Sequence, residues 1–288
     1  MVDKQLAMYL YVIAAVLFTI EISYSRWKHD GVHIPKDSVA NFLIAVIGRF
    51  LLKPVFTIPS ILFLSYLYSI SPVHSTWDGP WAYVTIIFLY DLVYYVKHRV
   101  SHATRCLWIF HSVHHSSETL NFSVAARETW FSVVYEWAFL GPLCLVGFPV
   151  HLVLVGKTTN ILFQFFIHSR YFGRLGFLEW FVNTPSHHRV HHGRNERYWD
   201  KNFGGILIIW DRLFGTFVQE TEEVVYGITK PLRSTNILTI NFQEMLWLGE
   251  DMAKSGSLRN AVRVFFSSPA GVAPTREDHE PQQLLTER

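Results

Sequence analysis

"WFSVVYEWAFLGPLCLVGFPVHLVLVGKTTNILFQFFIH", residues 130–168, joins two apolar runs through a few residues around Gly147 and Pro149. A bilayer crossing takes about 20 residues at roughly 1.5 Å rise each, and both runs approach that length. So short a link predicts a helical hairpin that leaves one face of a membrane and returns to it. The chain before Trp130 and the chain after His168 therefore meet on the same side.

Composition supports a membrane setting. Of 288 residues, 50% are hydrophobic, 16% aromatic and only 17% charged, against about 25% charged in an ordinary soluble domain. Three further runs are long enough to span: "QLAMYLYVIAAVLFTIEISY" from Gln5, "PVFTIPSILFLSYLYSISPV" from Pro54 and "PWAYVTIIFLYDLVYYV" from Pro80. The first reads as a retained anchor rather than a cleaved leader, because Glu21, Tyr24 and Trp27 crowd the would-be cleavage site. Residues 38–53 are apolar but carry Arg49 and Lys53 one turn apart, which predicts an interfacial or re-entrant helix. Lys97, Arg99, Arg105 and Arg127 precede the hairpin, and Arg170, Arg174, Arg189, Arg194, Arg197 and Lys201 follow it, while the linkers "HSTWDG" and "GFPVH" carry no lysine or arginine. The positive-inside rule makes the basic segments cytoplasmic. Cys106 and Cys144 lack CxxC spacing, which argues against a disulfide scaffold or a thiolate zinc site. A net charge of +2 with no basic-aromatic stripe gives no sign of nucleic-acid binding.

Eleven of the fifteen histidines lie between His98 and His192. "HRVSH" holds His98 and His102, "HSVHH" holds His111, His114 and His115, and "HRVHH" holds His188, His191 and His192. On a helix, offsets of three and four share a face, so each HxxHH block is expected to present three nitrogens to one volume. Neutral imidazole suits zinc, copper, iron and nickel. A single zinc takes four ligands, too few for eight imidazoles, so two metals with open positions fit the count. The zinc-protease pattern HExxH is missing, and haem histidines would face each other within the spans rather than gather at helix ends. Two readings of other classes remain open: a membrane zinc hydrolase, and a metal transporter with histidines along a path through the bilayer.

These blocks resemble the fatty acid hydroxylase and sterol desaturase superfamily of membrane non-haem diiron enzymes. "NTPSHHRVHHGRNERYWDKNFGGILIIWDRLFGTF", residues 183–217, together with "DLVYYVKHRVSH", "HHSSETLNFSVAARE" and "VVYGITKPL", is similar to its alkylglycerol monooxygenase branch. The resemblance covers roughly Pro80 to Leu232. It implies two irons held by His98, His102, His111, His114, His115, His168, His188, His191 and His192. His168 resembles the isolated histidine that membrane desaturases place between their second and third blocks. Gln164, one turn earlier, is where related desaturases place an amide that reaches metal-bound water. His187 is extra to the HxxHH pattern and is expected to support the ligands.

The implied activity is O2-dependent hydroxylation or desaturation of an unactivated C–H bond in a lipid. An ether-linked or long alkyl chain leads, with sterol and other acyl chains as alternatives. No nucleotide or flavin fingerprint appears, so electrons must come from another molecule: tetrahydrobiopterin in the alkylglycerol branch, a cytochrome or ferredoxin chain elsewhere. The implied location is a bacterial inner membrane or the endoplasmic reticulum.

Metal-bound imidazoles usually direct their second nitrogen to a carboxylate or carbonyl. Asp91, two turns before His98 on the same helical face, is the leading partner, with Asp200, Asp211 and Glu128 as further candidates. Glu136, inside the fourth run, is expected to line the lipid cavity. Gly204 and Gly205 predict a turn followed by an interfacial segment covering the site. His29, His33, His74, His151 and His279 read as structural or surface residues. The expected fold is all-α: a multispan membrane helical bundle with a cytosol-facing, histidine-rich helical cap. Its domains are an anchor region at 1–79, a catalytic domain at 80–232, amphipathic helices at 233–266 and a disordered tail at 267–288.

Overall fold

A computed structural model describes residues 4–73, 77 and 79–269. Every named element in it is helical, and among the described residues only isolated bridges occur, Val182 with Leu207 and Gly193 with Tyr226. The elements are α1 (Lys4–Lys28), α2 (Pro35–Ile47), α3 (Lys53–Ser69), α4 (Pro80–Ala103), α5 (Arg105–His115), α6 (Ser132–Leu145), α7 (Val150–Ile167), α8 (Pro185–His191), α9 (Ile209–Leu213), α10 (Ile237–Lys254) and α11 (Leu258–Phe266). The five apolar runs fall on α1, α3, α4, α6 and α7. By length and apolarity, two helical stretches qualify as candidate spans: Pro35–Ser69 and Val150–Ile167. Ser132–Leu145 is apolar but shorter.

The separate interfacial segment expected over residues 38–53 is not what forms. α2 passes through one π turn, Gly48–Leu52, straight into α3. Backbone bonding continues through the turn, so Arg49 and Lys53 sit within one helical path rather than at a re-entrant tip. The hairpin is present: α6 ends at Leu145, α7 begins at Val150, and Gly147 makes the reversal at φ +96°. That backbone conformation suits glycine, and a Cβ there would also collide with the carbonyl of Val73.

α4 packs along α7, and α3 along α6. Between them lies an apolar core that includes Ile86, Tyr90, Leu143, Phe148, Leu152 and Val153. One end of this bundle carries the histidines. α4 stops at Thr104, whose extended backbone (φ −133°, ψ 131°) lets α5 start one residue later in a new direction. That corner turns the face holding His98 and His102 toward the face holding His111 and His115. α10 packs on α5, and α11 on both, tied by a 2.7 Å ion pair between Arg105 and Asp251. The segments after residue 236 therefore cap the histidine end. The tail expected to be disordered lies outside the described residues from 270 onward.

Candidate metal centre

Nine histidines converge in two groups: His98, His102, His111, His115 and His191 in one, and His114, His168, His188 and His192 in the other. Within each group one nitrogen per ring lies within 4.8 Å of all the others. The HxxHH blocks do not each fill one volume as their spacing suggests. Adjacent residues on a helix differ by about 100° in direction, so His114 and His115 part company. "HSVHH" gives His111 and His115 to the first group and His114 to the second; "HRVHH" gives His191 to the first and His188 and His192 to the second. Each block thus straddles both groups and stitches them together.

In four of the nine rings the second nitrogen is held by a backbone carbonyl. His98 Nδ1 donates to Phe203 O at 2.9 Å, His191 Nδ1 to Lys201 O at 3.0 Å, His114 Nδ1 to Arg127 O at 3.1 Å and His168 Nδ1 to Gln164 O at 2.6 Å. A carbonyl only accepts, so each neutral ring must carry its proton on Nδ1 and leave Nε2 bare. The Nε2 atoms of His114 and His168 nevertheless face each other at 3.1 Å. Two lone pairs cannot hydrogen-bond, and a cation between them removes the conflict. Nε2 of His102 and of His191 are also buried with no hydrogen-bond partner. This donor set fits metal ions: neutral imidazoles, four of them preoriented by a carbonyl on the second nitrogen.

Protonation is disfavoured throughout the cluster. Burial pushes His98, His111, His115, His188, His191 and His192 well below the ordinary 6.5, and neighbouring imidazoles push them further. Burial also lowers His114 to about 4 and His168 to about 3. His102 is lowered by burial while Asp200, 3.5 Å from its Nδ1, pulls the other way.

The expected supporting residues act differently from the sequence reading. Asp91 does not touch His98. Its oxygens accept from Asn160 Nδ2 (2.8 Å), Ile206 N (2.6 Å), Leu207 N (3.0 Å) and Trp210 Nε1 (2.9 Å). The reason is that residues 206–210, from distant sequence, together with Asn160 of α7 supply its donors. Asp211 grips the adjoining loop through Phe203 N (2.8 Å), Gly204 N (2.7 Å) and the Thr216 hydroxyl (2.6 Å). The two carboxylates therefore position the Phe203 carbonyl, which positions His98. Gly204 and Gly205 are buried, Gly205 against Asp91 and Tyr94 of α4 and Asn160 of α7, and the segment that follows leaves Leu213 and Phe214 exposed.

Gln164 contributes its carbonyl to His168, while its side chain is engaged by Asn160 and by the Tyr94 hydroxyl at 2.7 Å. His187 stays outside both groups: it caps α8, with its Nδ1 accepting from Thr184 N at 3.4 Å. Glu136 is buried and ion-paired with Lys157 and, at 3.5 Å, Lys97; Glu128 pairs with Lys53. His33 is buried against Glu21 at 3.1 Å, His29 and His151 are exposed, and His74 and His279 lie outside the described residues.

The roles of Arg127 and Glu21 in supporting the site were not read from the sequence. Buried Arg127 donates to Val113 O, Asp37, Asn41 and Ser116 within 2.9 Å, which fixes the carbonyl that holds His114. Glu21 accepts from Phe122 N and Ser169 Oγ, both at 2.8 Å, and so anchors the residue after His168 to α1. The one available signal was an acid inside an apolar run, which is costly unless paired. On the side of α5 and α10, a cavity of about 260 Å³ reaches His102, His115, His191 and His192, with Trp108, Trp247 and Glu244 in its wall.

A helical bundle whose end gathers two facing polyhistidine groups defines a class. Residues 83–216 match the family described as Fatty acid hydroxylase. Over 257 residues it is 37% identical to an alkylglycerol monooxygenase of Danio rerio, covering 88% of this chain and 57% of the relative. Over 236 residues it is 36% identical to the Homo sapiens alkylglycerol monooxygenase, covering 81% and 52%. An ornithine lipid hydroxylase, OlsE, of Rhizobium tropici is 32% identical over 144 residues, covering 49% of this chain and 43% of the relative. The chain spans little more than half the length of the alkylglycerol monooxygenases it matches. No solved structure matches significantly.

Proposed function

We propose that this chain is an integral membrane lipid hydroxylase of the alkylglycerol monooxygenase kind, with two irons held by its nine clustered histidines. The observation that carries the metal assignment is the pair of bare Nε2 atoms on His114 and His168, facing at 3.1 Å with both Nδ1 protons committed to carbonyls. Iron held by these histidines would supply the oxidative chemistry of a hydroxylation, the class of reaction that the relatives' names, monooxygenase and hydroxylase, denote. The chain's own contribution is placement. Carbonyls of Phe203, Lys201, Arg127 and Gln164 fix four rings, and Asp91 and Asp211 hold the loop that brings two of those carbonyls.

In this reading α1, α3, α4, α6 and α7 cross the bilayer, and the histidine end lies at the cytoplasmic face, where lysine and arginine concentrate. The alkyl chain lies among the apolar helices. The electron donor, a pterin or a cytochrome or ferredoxin chain, approaches through the cavity beside His102 and Trp108. Residues 80–232 act as the catalytic domain and residues 233–266 as its cap.

Metal content of the purified chain, with Mössbauer spectra of iron-57-loaded protein, tests the proposal. About two coupled irons per chain are expected, and His168→Ala should lower that toward one, because it opens the four-histidine group alone. Zinc retained after anaerobic iron loading, with no oxygen-dependent product from an alkylglycerol, would overturn the oxygenase reading.

A further inference from the structure

Five charged side chains meet where α3, α4, α6 and α7 approach the histidines. Lys53 pairs with Glu128, Lys157 with Glu136, and Lys97 lies 3.5 Å from Glu136. Three ammonium groups thus face two carboxylates. Asp91, also on α4, keeps its own charge but forms no ion pair with these lysines among the described residues; its oxygens accept from N–H donors of Asn160, Ile206, Leu207 and Trp210. Unbalanced charge between apolar helices is costly unless a counter-charge arrives.

The group is also partly exposed. The three lysine side chains keep 17–25% of their surface and Glu128 keeps 53%, although they sit among four helices. Lys97 has the loosest carboxylate contact and lies over the Tyr94 ring, 5.1 Å from its centroid. Tyr94 in turn stands 5.1 Å, ring to ring, from His98. The surplus ammonium is therefore one aromatic ring away from the metal cluster. A lipid headgroup bound at Lys97 would place its attached chain within reach of the imidazoles.

We propose that this group of charges receives the anionic headgroup, phosphate or carboxylate, of the reacting lipid, and that Lys97 is the ammonium that recognises it. The inference rests on the lipid-hydroxylase reading and narrows it, because a neutral glycerol would leave the third lysine uncompensated. Removing Lys97 would leave two closed pairs, Lys53 with Glu128 and Lys157 with Glu136.

The test is equilibrium binding to the iron-loaded full chain in nanodiscs, kept anaerobic so that no turnover is needed. The probes are 1-O-hexadecylglycerol and 1-O-hexadecylglycerol 3-phosphate. The phosphate lipid is expected to bind about tenfold tighter or more, Lys97→Met to erase the difference, and Lys97→Arg to keep it. Glu136→Gln, which adds a second uncompensated ammonium, should widen the preference and serves as the test should Lys97→Met bind less iron. Equal binding of both lipids by the wild type, or an unchanged preference in Lys97→Met, would overturn the inference. Displacement of the phosphate lipid by inorganic phosphate at equal concentration would overturn its assignment to a lipid headgroup. Because binding is read without turnover, a chain that oxidises neither lipid would sink the hydroxylase reading and leave the headgroup preference measurable.

Discussion

The carboxylate of Asp91 and the missing side chain of Gly205 form one joint. A Cβ on Gly205 would meet Asp91 Oδ1 at 2.7 Å and Tyr94 Cδ1 at 2.9 Å, and would collide with the Asn160 amide. Gly205→Ala must therefore lift the loop off α4, at a cost of about 1–3 kcal/mol for overpacking. Asp91→Asn keeps the shape but turns an amide toward N–H donors. Because the loop carries the Phe203 carbonyl to His98, both variants should weaken iron binding about tenfold or more, read by competition with a chelator. Unchanged iron affinity in both would remove the loop from the account of the site. Asp91 itself was legible in the sequence as an acid too costly to leave unpaired in a span. Its partners were not, because they come from residues 160 and 206–210, which no local spacing connects to it.

α2 is a helix whose polar residues serve a distant loop. Asp37 and Asn41, one turn apart, accept from Arg127 at 2.7 and 2.9 Å, and Arg127 presents the carbonyl that orients His114. Arg127→Met should destabilise the fold by about 3–5 kcal/mol, since it strands the Asp37 charge. Adding Asp37→Leu should recover a large part of that loss, and a double-mutant cycle by thermal or urea unfolding checks it. Simple additivity of the two losses would show that the pair is not coupled. The N-terminus of α8 makes a smaller case: Thr184→Ala removes the hydroxyl that accepts from His187 N and should cost about 1 kcal/mol. Periodicity located α4, α5 and the hairpin. It could not show that α2 runs on into α3, because Arg49 and Lys53 read as an interface when taken alone.

Across the whole chain the nine imidazoles form a store of suppressed protonation. In the folded, metal-free protein they stay neutral below the ordinary 6.5, down to about 4 for His114 and about 3 for His168, while in the unfolded chain they titrate near 6.5. The unfolded state therefore binds more protons as pH falls through that window, so stability falls with it. Above the ordinary histidine range the contribution is flat, as both states are neutral. The melting temperature of metal-free protein should drop steeply as pH is lowered from 6.5 toward 4, and His114→Gln combined with His168→Gln should flatten the drop. A melting temperature independent of pH over that interval would contradict the desolvated cluster.

Local information settled the element types, the hairpin and the identity of the histidines, because helical spacing and apolar runs are properties of neighbouring residues. The sorting of those histidines was beyond it. Which of His114 and His115 faces which group depends on how α5 meets α4, α7 and α8, and the blocks divide between the groups because adjacent residues on a helix point about 100° apart. The grip of Asp91 and Asp211 on the Phe203 loop, and the surplus of one lysine over two glutamates near Tyr94, likewise arise from groups dozens of residues apart. Charge balance and hydrogen-bond supply are properties of a volume, and only the folded chain defines the volume.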